Sequence, residues 1–161
     1  MTVDGTDFWI YEPSPFSKQW FSHKHNGPAV RHEVGICIQT GWIVWANGPH
    51  AAGQWSDLKI FQHKLKHVLL QGEMVEADGT YRDSKVRNSK DDRCVSMADR
   101  RSRCKARSRH ESVNKLLKQF GCLRNRFRHS LRTQKHFFNA CAVVTQLGIE
   151  MGEVGPFQCT C

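Results

Sequence analysis

Four acidic residues stand in distinctive surroundings: Asp4 in Val3-Asp4-Gly5-Thr6, Asp57 in Trp55-Ser56-Asp57-Leu58, Asp78 in Ala77-Asp78-Gly79-Thr80-Tyr81, and Glu111 in Arg109-His110-Glu111-Ser112-Val113-Asn114. Carboxylate oxygens are the hard donors that magnesium prefers. Two-metal phosphoryl-transfer sites hold a pair of ions about 3.5–4 Å apart between carboxylates drawn from distant parts of a chain. A chain that is otherwise basic has little other reason to bring carboxylates together. The chemistry these residues point to is metal-dependent cleavage or transfer of DNA strands.

The composition sets what can carry that chemistry. At 161 residues the chain is long enough to fold as one domain, burying about two-thirds of its unfolded surface. An apolar fraction of 39% and five tryptophans argue for a packed core. Lys and Arg total 24 against 15 Asp and Glu, a formal charge of +9, so the expected partners are polyanions and DNA first among them. The seven cysteines show no paired framework spacing and no Cys-x-x-Cys, which points to a reducing compartment and away from structural zinc. No run of about 18 apolar residues exists to span a membrane, and Asp4, Asp7 and Glu12 replace the basic start of a signal peptide. His23, His25 and His32 read as exposed loop histidines more readily than as a metal cluster.

The elements that must position the acids follow from periodicity. Thr2 to Ile10 reads as a strand carrying Asp4, and Ser22 to Pro28 as a polar loop. Val34, Ile36 and Ile38 alternate with Glu33, Gly35, Cys37 and Gln39, the two-residue period of a half-buried strand. Thr40-Gly41 turns into an antiparallel partner, Trp42 to Ala46, ending at Asn47-Gly48-Pro49. Leu58, Phe61, Leu65, Val68 and Leu69 then share one helical face, with Ser56 or Asp57 placed to cap its start. Met74 to Ala77 reads as a fourth strand with Asp78 at its carboxyl end.

A composition break comes next. From Arg82 to Arg109 the only large apolar residues are Val86, Val95 and Met97, while eleven Lys and Arg face four Asp, which predicts a mobile basic insertion or a weak helix outside the core. Arg100, Arg101, Arg103, Lys105 and Arg107 within it could contact phosphates or act as a nuclear import signal. Val113, Leu116, Leu117, Phe120, Leu123 and Phe127 form an apolar helical stripe, interrupted at Gly121. Glu111 falls opposite that stripe, on the face with Arg107, Lys115, Lys118 and Asn125. Such a face suits a metal and phosphate site, and equally an ordinary solvated surface. A last helix, Phe137 to Ile149, reads as largely buried.

Val3-Asp4-Gly5-Thr6-Asp7-Phe8, Trp20-Phe21-Ser22-His23-Lys24 with Asn26-Gly27-Pro28, Gly48-Pro49 before Trp55-Ser56-Asp57-Leu58, Ala77-Asp78-Gly79-Thr80-Tyr81, and Arg109-His110-Glu111-Ser112-Val113-Asn114 with Lys118-Gln119-Phe120-Gly121 resemble, in order, the DDE endonuclease domain of Harbinger-type transposases. The resemblance runs over nearly the whole chain. It implies a ribonuclease H-like α/β fold, in which a mixed sheet of three antiparallel strands and parallel additions is flanked by helices. It also implies Asp4, Asp78 and Glu111 as the catalytic, metal-holding triad for Mg2+ or its substitute Mn2+, with Asp4 bridging two ions. Asp57 matches a further acidic position of the family, as a metal support or as a helix cap.

The same resemblance implies DNA as substrate, a nuclear location, a separate Myb-like DNA-binding partner and a possible homo-oligomer. The family pattern has an upstream region that helps recognise DNA, so a domain spanning residues 1–161 that starts three residues before Asp4 reads as truncated at its N-terminus. Two alternatives to the enzyme stay open: a catalytically inactive DNA-binding remnant, and a protein-interaction module.

Overall fold

The computed structural model describes residues 1–15, 17–88 and 96–153. Its central element is β1, Thr2–Trp9, which pairs along its whole length with β3, Gly27–Ile36, in antiparallel register from Thr2 opposite Ile36 to Trp9 opposite Ala29. A short β2, Phe21–Ser22, pairs with the start of β3, and β4, Ile43–Ala51, pairs with its other edge, both antiparallel. On the opposite side of β1 the sheet turns parallel: β5, Val75–Ala77, pairs with β1, and β6, Val86–Asn88, pairs with β5. The result is a mixed sheet in which β1 joins an antiparallel half to a parallel half.

Helices cover both faces. One face is covered by α1, Asp57–Ile60, which runs through a π-helical stretch, Phe61–Leu65, into α2, Lys66–Val68. The other is covered by α3, Met97–Leu117, α4, Gly121–Arg124, and α5, Leu131–Glu150. Because successive side chains of a strand point to opposite faces, β1 feeds two cores. Phe8 packs with Val113, Leu117 and Phe138 from α3 and α5, while Val3 packs with Phe61, Leu65, Val75 and Tyr81. β3 is buried almost throughout, which is what a strand covered on both faces requires.

Several elements differ from the sequence reading. β3 starts at Gly27, inside the expected loop, and β4 continues past Asn47-Gly48-Pro49 to Ala51. Pro49 is tolerated because β4 pairs only with β3 and the register slips between Arg31 and Glu33, so no ladder bond is needed from its nitrogen. Within the segment expected to lie outside the core, Val86 starts β6 and is buried, and residues from Met97 onward form the first half of α3. Residues 89–95 of that segment lie outside the described residues.

The start of α3 is set by Ser96, whose Oγ accepts from Asp99 N at 3.1 Å. Its inward stripe is Arg103, Ala106, His110, Val113 and Leu117, too polar at the front to register as hydrophobic periodicity. The long stripe toward Phe127 is cut where Gly121 begins α4 as a separate turn. Cys104 on α3 is disulfide-bonded, whereas Cys37, Cys122 and Cys141 are free thiols. No helix among the described residues is long and apolar enough to cross a membrane.

Candidate active site

Asp4 sits on β1 with its side chain on the α3 face, the same side as Thr2, whose Oγ1 lies 2.9 Å from His110 Nδ1. That buried bond pins α3 to the start of β1 and so brings the next residue, Glu111, to the sheet edge. Asp78 follows β5 directly, with its Oδ1 accepting from Thr80 N at 2.8 Å and from the Thr80 hydroxyl, an Asx-type turn that fixes the carboxylate at the strand end. Asp4, Asp78 and Glu111 together line one cavity of about 320 Å³, with Lys24, Arg107 and His110 also on its wall. Asp78 and Glu111 are exposed, and Asp4 is half-buried.

The electrostatics single out Asp4. Burial pushes its carboxyl up to about 6; Lys24 and the Gly5 amide oppose this, while Asp57 and Asp78 add to it. A carboxylate destabilised by burial and by neighbouring acids is one whose charge a bound cation would restore. Three carboxylates are also the oxygen donor set that magnesium or manganese takes, so the residues present fit such an ion. Among the described residues, however, no three His, Cys, Asp or Glu side chains are drawn into a group that could hold a metal. The acids share a cavity wall without closing on one point.

Behind Asp4, on the opposite face of the sheet, lies a buried ionic network. Arg31 holds Asp7 with both ends of its guanidinium, Nε to Oδ1 at 2.6 Å and Nη2 to Oδ2 at 2.8 Å, and Ser22 Oγ donates to Asp7 Oδ2 at 2.6 Å. Burial alone would raise the Asp7 carboxyl; the bonds from Arg31 and Ser22 outweigh it and hold the group below its ordinary value. Asp57 joins as an ion pair, with Oδ1 3.2 Å from Arg31 Nε. That oxygen has charge compensation but no aligned hydrogen bond, because the single Nε–H already points to Asp7. Burial accordingly raises the Asp57 carboxyl, with Arg31 and Lys24 opposing.

Asp57 can approach this closely only because residue 5 is glycine: a Cβ there would lie 1.8 Å from Asp57 Oδ1. The helix cap is Ser56, whose Oγ accepts from Lys59 N at 3.3 Å, so Asp57 is the first residue of α1 and not its cap. Glu33, expected on an outward polar face, is fully buried because the α1 side of β3 is also covered. It accepts from Trp45 Nε1 at 2.7 Å, and burial pushes it up to about 7. His32 likewise is no loop histidine: it lies within β3, bonded to Gln134 Oε1 at 2.8 Å and stacked on Phe138, with burial lowering it to about 3.

The cations expected to meet DNA divide in two. Arg100, Arg101, Lys105, Arg107 and Lys115 are exposed, and Arg107 reaches the cavity. Arg103 is turned inward, donating to Asn88 O at 3.2 Å and lying 3.6 Å from Glu76 Oε1, where it braces α3 against β5 and β6. Lys118 is half-buried over the Phe8 ring. Lys24, absent from that expected set, stands beside Asp4 with its Nζ donating to Gly5 O at 3.2 Å. The one signal for it was its place in a motif, since a lysine in a polar loop carries no periodicity.

No curated protein and no solved structure matches the chain. A family model described as DDE superfamily endonuclease matches residues 3–146, a span that takes in β1 with Asp4, the turn with Asp78 and α3 with Glu111. On that match over most of its length, the chain belongs to the DDE superfamily of endonucleases.

Proposed function

We propose that this chain is the strand-cutting and strand-transfer domain of a Harbinger-type transposase, acting on DNA phosphodiesters with Mg2+ or Mn2+. The observation that carries the reading is the shared cavity: three carboxylates from β1, the end of β5 and α3, 107 positions apart at the extremes, meet on one wall beside Lys24 and Arg107. Sheet order supports a ribonuclease H-like fold, since β4, β3 and β1 are antiparallel neighbours and β5 and β6 extend the sheet in parallel from β1.

In this reading Asp4, Asp78 and Glu111 offer oxygen donors, with Asp4 the central one. Bound divalent metal supplies polarisation of the attacking oxygen and neutralisation of the leaving one. A water or a DNA 3′-hydroxyl attacks phosphorus and gives up its proton to solvent as the opposite P–O bond breaks and the leaving oxygen takes a proton from solvent. Lys24 and Arg107 would balance the charge of the phosphate, and Arg31 would hold Asp57 behind Asp4. The setting would be the nucleus, with a separate Myb-like DNA-binding protein and a second copy of the chain as partners.

Nicking of supercoiled plasmid tests this. The protein should nick with Mg2+ and more readily with Mn2+, and Asp78→Asn and Glu111→Gln should each abolish nicking without altering the circular dichroism spectrum. Nicking that survives both substitutions would overturn the assignment. A second reading, a catalytically idle DNA-binding or protein-interaction module, is favoured by the open spacing of the three acids. Salt-sensitive DNA binding with no nicking in either metal would select its DNA-binding form.

A further inference from the structure

A second groove lies at the far end of β1. Tyr11 bounds it just beyond the strand, the segment from Asn125 to His129 forms its floor and Phe137 of α5 closes it, around about 330 Å³. The floor is fixed to the sheet: Phe127 N donates to Trp9 O at 3.0 Å, and Tyr11 N donates to Phe127 O at 3.4 Å. Two of its rings remain exposed, Tyr11 at 52% and Phe137 at 42%. Phe137 is nonetheless held in orientation, lying parallel to His129 at 6.5 Å and edge-on to Phe127 at 5.5 Å.

On the α3–α5 side of the groove the charge has one sign. From Ser112 to Ile149 there is no Asp or Glu, while Lys115, Lys118, Arg124, Arg126, Arg128, Arg132 and Lys135 fall in that stretch. Three cations lie near β1 between the Asp4 cavity and the groove: Lys24 bonded to Gly5 O, Lys118 Nζ 5.9 Å over the Phe8 ring on one face, and the Arg126 guanidinium 5.5 Å over the Trp9 ring on the other. At a rise of about 3.3 Å per residue, Gly5 to Trp9 spans roughly 13 Å. That is about four stacked nucleotides at about 3.4 Å each.

Exposed rings beside a row of cations are the components of a single-strand site, where bases stack on aromatic faces and the backbone follows the charge. A protein segment would find only Glu12, beside Tyr11, to meet its own cations, and a blunt duplex would leave the rings unused. We propose that the groove holds unpaired nucleotides of a DNA strand, with the backbone along Arg126 and Arg128 and bases stacked on Tyr11 and Phe137. From the proposed function this takes only the identity of the polymer.

Fluorescence anisotropy of the full chain in EDTA, with labelled oligothymidine and a blunt duplex of equal length, tests it apart from any cleavage. Single strand should bind more tightly than duplex. Tyr11→Ala and Phe137→Ala should each weaken single-strand binding about 5- to 150-fold, the worth of one stacked base, and leave duplex binding unchanged. Tyr11→Phe and Phe137→Tyr should keep the wild-type preference. No preference for single strand, or equal losses on both DNAs, would overturn the proposal. Should Phe137→Ala unfold the protein, Tyr11→Ala decides alone, since its ring stands outside the core. Single-strand binding without nicking would remove the catalytic reading and leave this one standing; nicking without that preference would do the reverse.

Discussion

The two faces of β1 carry the same residue type to opposite ends. On one face Asp7 is buried and fully answered, by two bonds from Arg31 and one from Ser22. On the other Asp4 is half-buried and answered by little more than the Gly5 amide at 2.9 Å and the nearby charge of Lys24. The fold neutralises the first internally and leaves the second for something outside the chain. Aspartates three residues apart therefore divide into one bound into the fold and one left largely unanswered by it.

The sharpest way to break that division is to remove one partner of the closed face. Arg31→Met or Asp7→Ala strands a buried charge and should cost about 3–5 kcal/mol of unfolding free energy, read by urea denaturation. If either were neutral, Asp7 would not be the structural member of the pair. Gly5→Ala comes next: its Cβ collides with Asp57 Oδ1, so the strand or α1 must shift, at about 1–3 kcal/mol. The same urea curves measure it, and Asp57→Ala should relieve part of the loss.

Ser56→Ala should cost about 1 kcal/mol through the lost cap. Asp57→Asn keeps that cap and gives up the ion pair with Arg31, so comparing the two variants' melting curves separates capping from charge. Asp4→Asn should have the opposite sign, a favourable effect. With its folded value raised from 3.8 to about 6, Asp4 takes up a proton on folding between those limits, so its burial penalty grows as pH rises through that window. Unfolding free energy measured from pH 4 to 7 should fall less steeply with rising pH in the Asn variant than in the wild type. An unchanged slope would mean Asp4 is solvated after all.

Much of this arrangement was legible in the order of residues, because β1, β5 and α3 each announce themselves locally. Asp4 follows a strand start, Asp78 a short apolar run, and Glu111 precedes a helical stripe. The closed face was not legible. Glu33 and Asp7 look like the outward members of alternating strands, and only the docking of α1 on that side turns them inward. Arg103 and Arg31 show the same limit, since an arginine in a basic chain looks solvated until a buried carbonyl or carboxylate is set opposite it. Ser56 and Asp57 are adjacent candidates for one cap, and their division of labour depends on the backbone angle at which α1 begins.

The bond between Thr2 and His110 joins residues 108 positions apart, whereas Thr2 meets Ile36 across only 34. Closing the shorter loop takes less chain entropy, so the β1–β3–β4 meander can form while β5 and α3 are still unfolded. Glu111 is brought to the Asp4 cavity only through the longer closure. On the proposed function, the cavity wall that carries Glu111 would then be completed after the sheet, and the basic surface and the site would be acquired at different stages of folding.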